Sequence, residues 1–252
     1  MYLQRGFKAA AKAGLERCGY ELVPAGSRGA EGANPGLSEF KARRRSILAS
    51  HHRQTAETIR HLNSKYQEPV FGEVPIWDLF QRLAFCVDPT DTSLLNTTQY
   101  VHVLQVLEAM EKDGLQGSCW YVAAILHDLG KLLLLTPEGP ENIVCLNSPI
   151  DDHEGRAGLD NLVMQWNHDE FAYMRLKDYV SDEIGWLIRY HSIQLADCEP
   201  HMDDRDRARR DKYLLKFRKY DFGSKSPYHL PSLDMDKYRT MIEEAFPDPV
   251  PF

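Results

Sequence analysis

A histidine and an aspartate stand side by side in the segment CWYVAAILHDLGKLLLL, where most other residues are apolar. They are His127 and Asp128. Burial of an unpaired carboxylate is costly, so the pair needs a partner within the core. An imidazole next to a carboxylate can bind a metal ion, and such ions serve phosphate ester hydrolysis as well as oxygen activation. The pair by itself favours phosphate hydrolysis, the commoner of the two chemistries, and the surrounding residues must decide.

Four further polar residues fall on or beside apolar faces of predicted helices. His191 continues the i, i+3, i+4, i+7 stripe of SDEIGWLIRYHSIQ, and Asp221 continues the stripe of DRARRDKYLLKFRKYDFGSKS. His102 borders the apolar stripe of its own segment, and His168 follows VMQW. Six side chains are therefore predicted to point inward: His102, His127, Asp128, His168, His191 and Asp221.

Four imidazoles and two carboxylates form a ligand set suited to Fe, Mn or Zn, without a thiolate. A lone core histidine more often satisfies hydrogen bonds, and a lone aspartate at a helix end is usually a cap or an ion-pair partner. One metal cluster, however, would compensate all six groups at once. Six ligands exceed one tetrahedral zinc site and fit two metals. Asp128 is the predicted bridge, because its neighbour His127 anchors one metal.

The elements that must position these residues are helices. Apart from the adjacent His127 and Asp128, successive ligands are separated by 23 to 40 residues, so each helix of a bundle brings one or two of them. We predict an all-α fold from the following segments: polar helices within 38–67, helices at 75–87 and 98–114, a helix from Cys119 to Leu135, a loop over 136–158, helices at 159–180 and 181–194, and a last long helix at 206–226 before a proline-containing tail.

The composition limits the class of protein. The chain has 252 residues, of which 43% are hydrophobic, and a net charge of −7. A sizeable core is therefore expected, and the acidic balance argues against a nucleic-acid partner. Residues 23–37 are rich in Gly, Ala and Pro, which predicts an N-terminal helical extension and linker over 1–39 and the main domain over 40–252.

The five scattered cysteines include no C-x-x-C pair, so a disulfide scaffold is not expected and a cytoplasmic location is. The longest apolar run carries His127, Asp128 and Lys131 at its centre, so no membrane span is expected. The sequence leaves the oligomeric state open, a monomer included.

The motifs around the six residues resemble those of the inositol oxygenase family. GLDNLVMQWNHDEFAYMRLK is similar to that family's G-L-D-x-x-x-M-x-W-x-H-D-E-[FY]-x-Y segment. HDLGK, IRYHS and KFRKYDFGSKS resemble further family segments in the same order, as does HHRQTAETIR more weakly. The resemblance covers about residues 45 to 246 and implies an HD-domain helical bundle around a dinuclear metal site.

The resemblance implies two iron ions in a mixed-valent Fe(II)/Fe(III) pair, with O2 as co-substrate. His102, His127, Asp128 and Asp221 would hold one iron, whereas Asp128, His168 and His191 would hold the other. The second iron then keeps open positions for O2 and a small hydroxylated substrate. The implied reaction removes a hydrogen atom from a substrate carbon and cleaves a C–C bond, with myo-inositol as the nearest known substrate.

The resemblance also implies substrate contacts. Lys131 lies four residues after His127, which would place both on one helical face, and the family has a substrate-contacting lysine there. The alternative is a lysine that stabilises the end of a helix. Ser192 and Lys225 match further family contacts. Asp88 roughly matches a pocket aspartate, although Asp91 in the same loop is an alternative.

Two segments depart from the family pattern. IQLADCEP follows YHS where the family has an aromatic–Pro–Trp stretch, and the loop after HDLGK is shorter. The family loop supplies a pocket aspartate, for which Asp151 or Asp152 is a candidate replacement. Another small substrate, such as a hydroxyphosphonate or a biosynthetic intermediate, therefore stays open. A dimetal HD phosphohydrolase is the alternative from another class.

Overall fold

In the computed structural model, residues 35–95, 97–150 and 155–252 are described, and most of them are helical. The all-α prediction is confirmed. The α-helices are α1 (Pro35–His51), α2 (Ala56–Lys65), α3 (Ile76–Arg82), α4 (Gln99–Lys112), α5 (Ser118–Leu126), α6 (His168–Leu176), α7 (Asp182–Tyr190), α8 (Leu195–Cys198), α9 (Asp204–Arg209), α10 (Leu215–Asp221) and α11 (Met235–Ala245).

Shorter elements complete the described fold. Strands β1 (Glu73–Val74) and β2 (Val250–Pro251) pair antiparallel, with Val74 opposite Val250. A π-helical turn, Arg210–Leu214, joins α9 to α10. The 3₁₀ helices are Leu83–Phe85, Leu129–Leu135, Pro140–Asn142, Leu159–Asn161 and Glu199–His201.

Side-chain caps fix where several helices begin. Thr98 accepts a hydrogen bond from the Val101 amide at the start of α4. The predicted cap Ser181 accepts one from the Ile184 amide, and Asp182 and Glu183 follow it in the first turn of α7. These contacts satisfy amide groups that have no partner within the helix, and the acidic residues complement the helix dipole. The sequence prediction for the start of α7 is confirmed.

The helices that carry the six polar residues pack on one another. α6 contacts α7 and the 3₁₀ helix Leu129–Leu135, while α4 contacts α5 and α10. The core between them contains large buried side chains such as Trp166, Phe171 and Phe217. This packing brings helix ends that are distant in sequence to one point, where a site can form.

The predicted helix from Cys119 to Leu135 is not continuous. α5 ends at Leu126, the backbone of Asp128 leaves helical geometry (φ −100°, ψ 7°), and a 3₁₀ helix follows. Successive residues of a regular α-helix project about 100° apart. The interruption therefore allows His127 and Asp128 to turn toward the same cluster.

Two other helix predictions need correction. In 159–180 the chain is extended after Asn161, and α6 begins only at His168, where the Asn167 side chain accepts a hydrogen bond from the Asp169 amide. Backbone groups of the extended part bond to a neighbouring segment: the Ile150 amide donates to the carbonyl of Val163, and the Gln165 amide donates to the carbonyl of Ser148. In a helix these groups would bond within the helix instead. The tail contains α11, whose Tyr238 and Ile242 are buried in the core.

Residues 1–34 lie outside the described residues, as does Cys18, so the division into 1–39 and 40–252 stays a prediction. Cys86, Cys119, Cys145 and Cys198 are free thiols. Within the described ranges, the stretch Ser118–Leu135, which includes α5 and the 3₁₀ helix after it, is long and apolar enough to cross a membrane by length and composition alone. Of this stretch, 67% is buried in the fold, as for the core helix of a soluble protein.

Candidate metal centre and substrate cavity

The six predicted ligands meet in one buried cluster, and most stand at helix ends. His102 lies in the first turn of α4, and His127 and His191 directly follow α5 and α7. His168 is the first residue of α6, and Asp221 is the last residue of α10. All six side chains are nearly inaccessible to solvent. Helix ends bring the residues together while the helix interiors supply the apolar packing around them.

The Asp128 carboxylate lies at the centre of the cluster. Its Oδ2 atom is 3.3 Å from Nε2 of His127 and 3.7 Å from Nε2 of His102. Its Oδ1 atom is 3.1 Å from Nε2 of His168 and 3.6 Å from Nε2 of His191. Each carboxylate oxygen thus faces a different pair of imidazoles, which is the orientation that a carboxylate bridging two metal ions requires.

Asp221 completes one side of the cluster. Its Oδ1 atom lies 3.0 Å from Nε2 of His102 and 3.9 Å from Nε2 of His127. Three groups of ligand atoms lie close enough to hold an ion. They are His102, His127 and Asp128; Asp128, His168 and His191; and His127, His191 and Asp221. The first two groups share Asp128 and match the predicted division between two metals, whereas the third group crosses it.

Backbone carbonyls orient three of the four imidazoles. Nδ1 of His127 lies 2.7 Å from the Ala124 oxygen, and Nδ1 of His191 lies 2.9 Å from the Ile188 oxygen. Nδ1 of His168 lies 2.5 Å from the oxygen of Ile143. Because a carbonyl only accepts, each Nδ1 carries a proton, and Nε2 is the nitrogen left to bind a metal.

Several buried atoms at the centre of the cluster have no hydrogen-bond partner. They are Nε2 of His127, Nε2 of His168 and Oδ1 of Asp128. Leaving buried polar atoms unsatisfied is costly, and two cations that share Asp128 would satisfy all three atoms. The nitrogen and oxygen donors also suit iron. The residues present therefore fit a dinuclear metal group.

Charge in the cluster shifts several pKa values. Burial lowers the pKa of His102 to about 4, despite its bond to Asp221, so this imidazole is neutral at pH 7. Burial opposes charge on His191, but the carboxylates of Asp169 and Asp128 raise its pKa to about 9. Burial likewise opposes charge on Asp128 and Asp221, yet the neighbouring lysines and imidazoles hold the pKa of both carboxyls well below the ordinary value. Asp128 and Asp221 are thus ionised at neutral pH, and their negative charge favours the binding of metal cations.

Asp169 is a buried carboxylate beside the cluster that the sequence analysis missed. Its Oδ1 atom is 3.0 Å from Nε2 of His168, and its Oδ2 atom accepts hydrogen bonds from the Ser192 hydroxyl (2.7 Å) and amide (3.2 Å). Asn167 donates to the Ser192 hydroxyl at 3.1 Å. An acidic residue in the first turn of a helix is ordinary, so no sequence signal separated Asp169 from a surface acid. Its place in the fold is what reveals it.

Lys131 is buried and directed at the cluster from the 3₁₀ helix. Its Nζ atom donates to Oδ2 of Asp128 and to Oε1 of Gln99, both at 3.0 Å, and lies 3.6 Å from Oδ2 of Asp88. Burial opposes the charge, but Asp128 and Asp88 outweigh it and raise the pKa of Lys131 above its ordinary value. Lys131 therefore reaches the site through Asp128, three residues before it, rather than through the predicted i, i+4 face shared with His127.

A cavity of about 280 Å³ opens beside the cluster. Four of the six predicted ligands line it: Asp128, His168, His191 and Asp221. The predicted substrate contacts Lys131, Ser192 and Lys225 line it as well, and so do the alternative loop aspartates Asp88 and Asp91. Asp91 accepts a hydrogen bond from Lys225 at 2.8 Å, and Asp88 faces Lys131. Both aspartates of the loop thus pair with a lysine of the cavity. Asp151 and Asp152 lie outside the described residues.

Comparison with known proteins identifies the family. The family model described as myo-inositol oxygenase matches residues 42–148 and 144–252, which is most of the chain. The chain belongs to the myo-inositol oxygenase family. Inositol oxygenase 1 of Arabidopsis thaliana is 27% identical over 250 residues, covering 84% of this chain and 75% of the relative. The probable inositol oxygenase of Oryza sativa subsp. japonica is 29% identical, covering 79% and 77%, and the inositol oxygenase of Homo sapiens is 24% identical, covering 78% and 82%.

Membership in the myo-inositol oxygenase family confirms the predicted resemblance and assigns the chain to the oxidoreductases. It does not favour the phosphohydrolase alternative. The matched region begins at residue 42 and contains all six predicted ligands. The metal identity, the ligand assignment and the substrate contacts remain predictions.

Proposed function

We propose that this chain is an oxygenase with two non-haem irons that uses O2 to cleave a C–C bond of a small hydroxylated substrate. Myo-inositol is the first substrate to consider, because the relatives in plants and mammals are named inositol oxygenases. One myo-inositol and one O2 would give one D-glucuronate and one water, a four-electron oxidation. The observation that supports this proposal best is the orientation of Asp128, with each oxygen facing its own pair of imidazoles.

In this proposal, His102, His127, Asp128 and Asp221 hold one iron, and Asp128, His168 and His191 hold the other. The Fe(II)/Fe(III) pair supplies the activation of O2. The proposal is supported by the unpartnered Nε2 atoms of His127 and His168, which are directed into the cluster. The second ion would have fewer protein ligands, which leaves room for substrate oxygens on the cavity side.

Lys131 would bind a substrate hydroxyl oxygen as a hydrogen-bond donor. The raised pKa of Lys131 keeps it protonated at neutral pH, so it stabilises negative charge on that oxygen and does not act as a base. Its longest polar contact, 3.6 Å to Asp88, is the one that a substrate hydroxyl can replace most easily. Asp88 would then be free to accept the hydrogen of the same hydroxyl or of its neighbour.

Ser192 would bind a second substrate hydroxyl by accepting its hydrogen, whereas Lys131 donates one. The Ser192 hydrogen is donated to Asp169, and Asn167 donates to the Ser192 oxygen. A hydroxyl oxygen has two acceptor positions, so one remains for a substrate O–H. A polyol, whose hydroxyls both donate and accept, satisfies Lys131 and Ser192 together.

The proposal can be tested by metal analysis and oxygen uptake. We expect two irons per chain, an EPR signal of a mixed-valent pair after partial oxidation, and O2 consumption with myo-inositol that yields D-glucuronate. O2 consumption with a hydroxyphosphonate but not with myo-inositol would keep the proposed O2-dependent oxidation and change only the substrate. The two loops that differ from the family pattern allow this outcome. One zinc or manganese ion per chain, with phosphatase activity that does not need O2, would refute the proposal.

A further inference from the structure

Gln105 is a buried glutamine on α4, one turn after the predicted ligand His102. Only 2% of its surface is exposed, although a glutamine side chain is usually solvated. It does not line the cavity. Its amide is directed at the segment that follows α10, residues 222–231, which we call the Lys225 loop.

Three hydrogen bonds join Gln105 to the backbone of the Lys225 loop. The Gln105 Nε2 atom donates to the carbonyl oxygens of Ser226 and His229, both at 2.7 Å. The Gln105 Oε1 atom accepts from the Ser226 amide at 3.1 Å. Both hydrogens of the amide and one of its acceptor positions are thus committed to one loop. A side chain with this bonding pattern replaces the regular hydrogen bonds that a loop lacks.

The loop needs such support because its own sequence offers little. It contains Gly223, Pro227 and Pro231, and its tip at Tyr228 is 91% exposed. A second contact from α4, between Glu108 and His229, lies at the solvent-exposed side, where ion pairs contribute little. Gln105 is therefore the buried attachment of the loop to α4.

Lys225 stands directly next to the attached residue. On one side the Ser224 amide donates to the carbonyl of Tyr220 at 3.1 Å, and on the other the Ser226 amide donates to Gln105. The backbone of Lys225 is thereby fixed at both ends. Lys225 lines the cavity, and its Nζ atom lies 2.8 Å from Asp91 and 3.9 Å from Asp221.

We propose that Gln105 is a positioning residue for substrate binding, which acts by holding the Lys225 ammonium at the cavity. The role rests on the proposed function, since it takes the cavity as the substrate site. Gln105 does not line the cavity, and its hydrogen bonds reach Ser226, the neighbour of Lys225. Its effect on substrate is therefore expected to pass through Lys225. It also links the helix of one predicted iron ligand to the loop that faces the substrate.

A double-mutant cycle tests the route of this effect. For Gln105→Met, which keeps the length and removes all three bonds, we expect KM for myo-inositol to rise about tenfold, with kcat and iron content changed less than twofold. Lys225→Met should raise KM similarly, and the double variant should match Lys225→Met within twofold. Gln116→Met is the matched control on an exposed glutamine and should leave KM unchanged. The proposal would be overturned if the KM increases of the two single variants multiplied in the double variant, or if Gln105→Met lost iron.

Hydrogen exchange tests the attachment without substrate. The Ser226 amide should exchange at least tenfold faster in Gln105→Met than in the wild-type protein, while amides of α10 are unchanged. If Gln105→Met does not fold, Gln105→Asn, which shortens the side chain by one methylene, should show the same exchange pattern. Unchanged exchange at Ser226 would overturn the attachment. Absence of O2 uptake by the wild-type protein with myo-inositol would instead reject the proposed function and leave the exchange result valid.

Discussion

The two ends of the cavity are built differently. At the metal end, the ligands stand at the ends of packed helices, and carbonyl oxygens of Ala124, Ile143 and Ile188 orient the imidazoles. At the other end, which we call the loop end, residues such as Asp91 and Lys225 are held by side-chain hydrogen bonds. Helix packing fixes positions closely, whereas loop attachments can change without disturbing the core. The same fold can thus keep one chemistry and vary its substrate, as the departures after HDLGK and YHS suggest.

The largest effect is expected for the central carboxylate. Asp128→Asn keeps the shape but removes the charge and one of the two metal-binding oxygens. Iron content should fall from two to at most one per chain, and O2 uptake should fall by at least roughly 100-fold. Metal analysis and an oxygen electrode measure both. Asp113→Asn, on an exposed residue after α4, is the control. Two bound irons in Asp128→Asn would contradict the bridging role.

A strong effect on folding is expected where the 3₁₀ helix meets α6. A Cβ atom added at Gly130 would lie 2.0 Å from the backbone oxygen of His168, so the backbone must shift. Gly130→Ala should lower the free energy of unfolding by about 3 kcal/mol or more and reduce iron binding. Thermal unfolding and metal analysis measure the two effects.

Gly185→Ala is the matched control for Gly130→Ala. Gly185 lies within α7, and an added Cβ would meet the Tyr173 ring at an ordinary 3.5 Å. Alanine favours the helix by up to about 1 kcal/mol over glycine, so the control should be neutral or slightly stabilising. Equal losses in both variants would mean that the approach of Gly130 to His168 has no special importance.

The two cavity lysines allow a direct comparison of the two ends. Lys131→Met, on the 3₁₀ helix, should lower kcat/KM about 100-fold, mostly through kcat, because Lys131 lies against the metal end. Lys225→Met, on the loop, should lower it about tenfold, mostly through KM. Steady-state kinetics with myo-inositol distinguishes the two, and Lys216→Met on the exposed face of α10 is the control. A larger kcat loss in Lys225→Met than in Lys131→Met would reverse the comparison.

The smallest effect is expected at Glu138, away from the metal end. Its carboxylate accepts hydrogen bonds from Asn142, Lys65 and Tyr66. Burial opposes its charge, but these bonds lower the pKa of Glu138 from 4.5 to about 2. The folded state therefore favours the ionised form, and its stabilisation is present above pH 4.5 and lost as the pH falls toward 2.

Glu138→Gln should lower Tm by roughly 3 °C at pH 7 and leave a smaller loss of stability between pH 4.5 and 3 than the wild-type protein shows. Calorimetry across this pH range measures the difference. Glu244→Gln, on an exposed residue of α11, should follow the wild-type curve. If Glu138→Gln loses as much stability between pH 4.5 and 3 as the wild-type protein, this carboxylate contributes no pH-dependent stability.

Much of the metal end could be predicted from helical periodicity. His191 and Asp221 continue apolar stripes, and the apolar segment around His127 and Asp128 needs compensation for its polar residues, so the sequence predicts that these side chains point inward. The break at Asp128 was not predicted, because LHDLGKLLLL is apolar enough for a continuous helix. α11 was missed although Asp234, Tyr238 and Ile242 give it a cap and an apolar spacing.

The loop end could be predicted only by resemblance. Lys225 and Asp88 stand in irregular segments, where no periodicity tells which way a side chain points. Gln105 looks like any polar residue of a helix, since the three backbone groups that it binds lie about 120 residues further along the chain. Contacts between a helix and a distant loop depend on the complete tertiary fold, which local patterns do not contain.

The contact between His102 and Asp221 joins residues 119 positions apart in the chain. During synthesis on the ribosome, the first four predicted ligands emerge well before His191 and Asp221. On the proposed assignment neither iron has its full set of ligands in the nascent chain, because His191 completes one set and Asp221 the other. Metal can then be loaded only when translation is nearly complete. A chain truncated before residue 221 should be released from the ribosome without the ability to retain both ions.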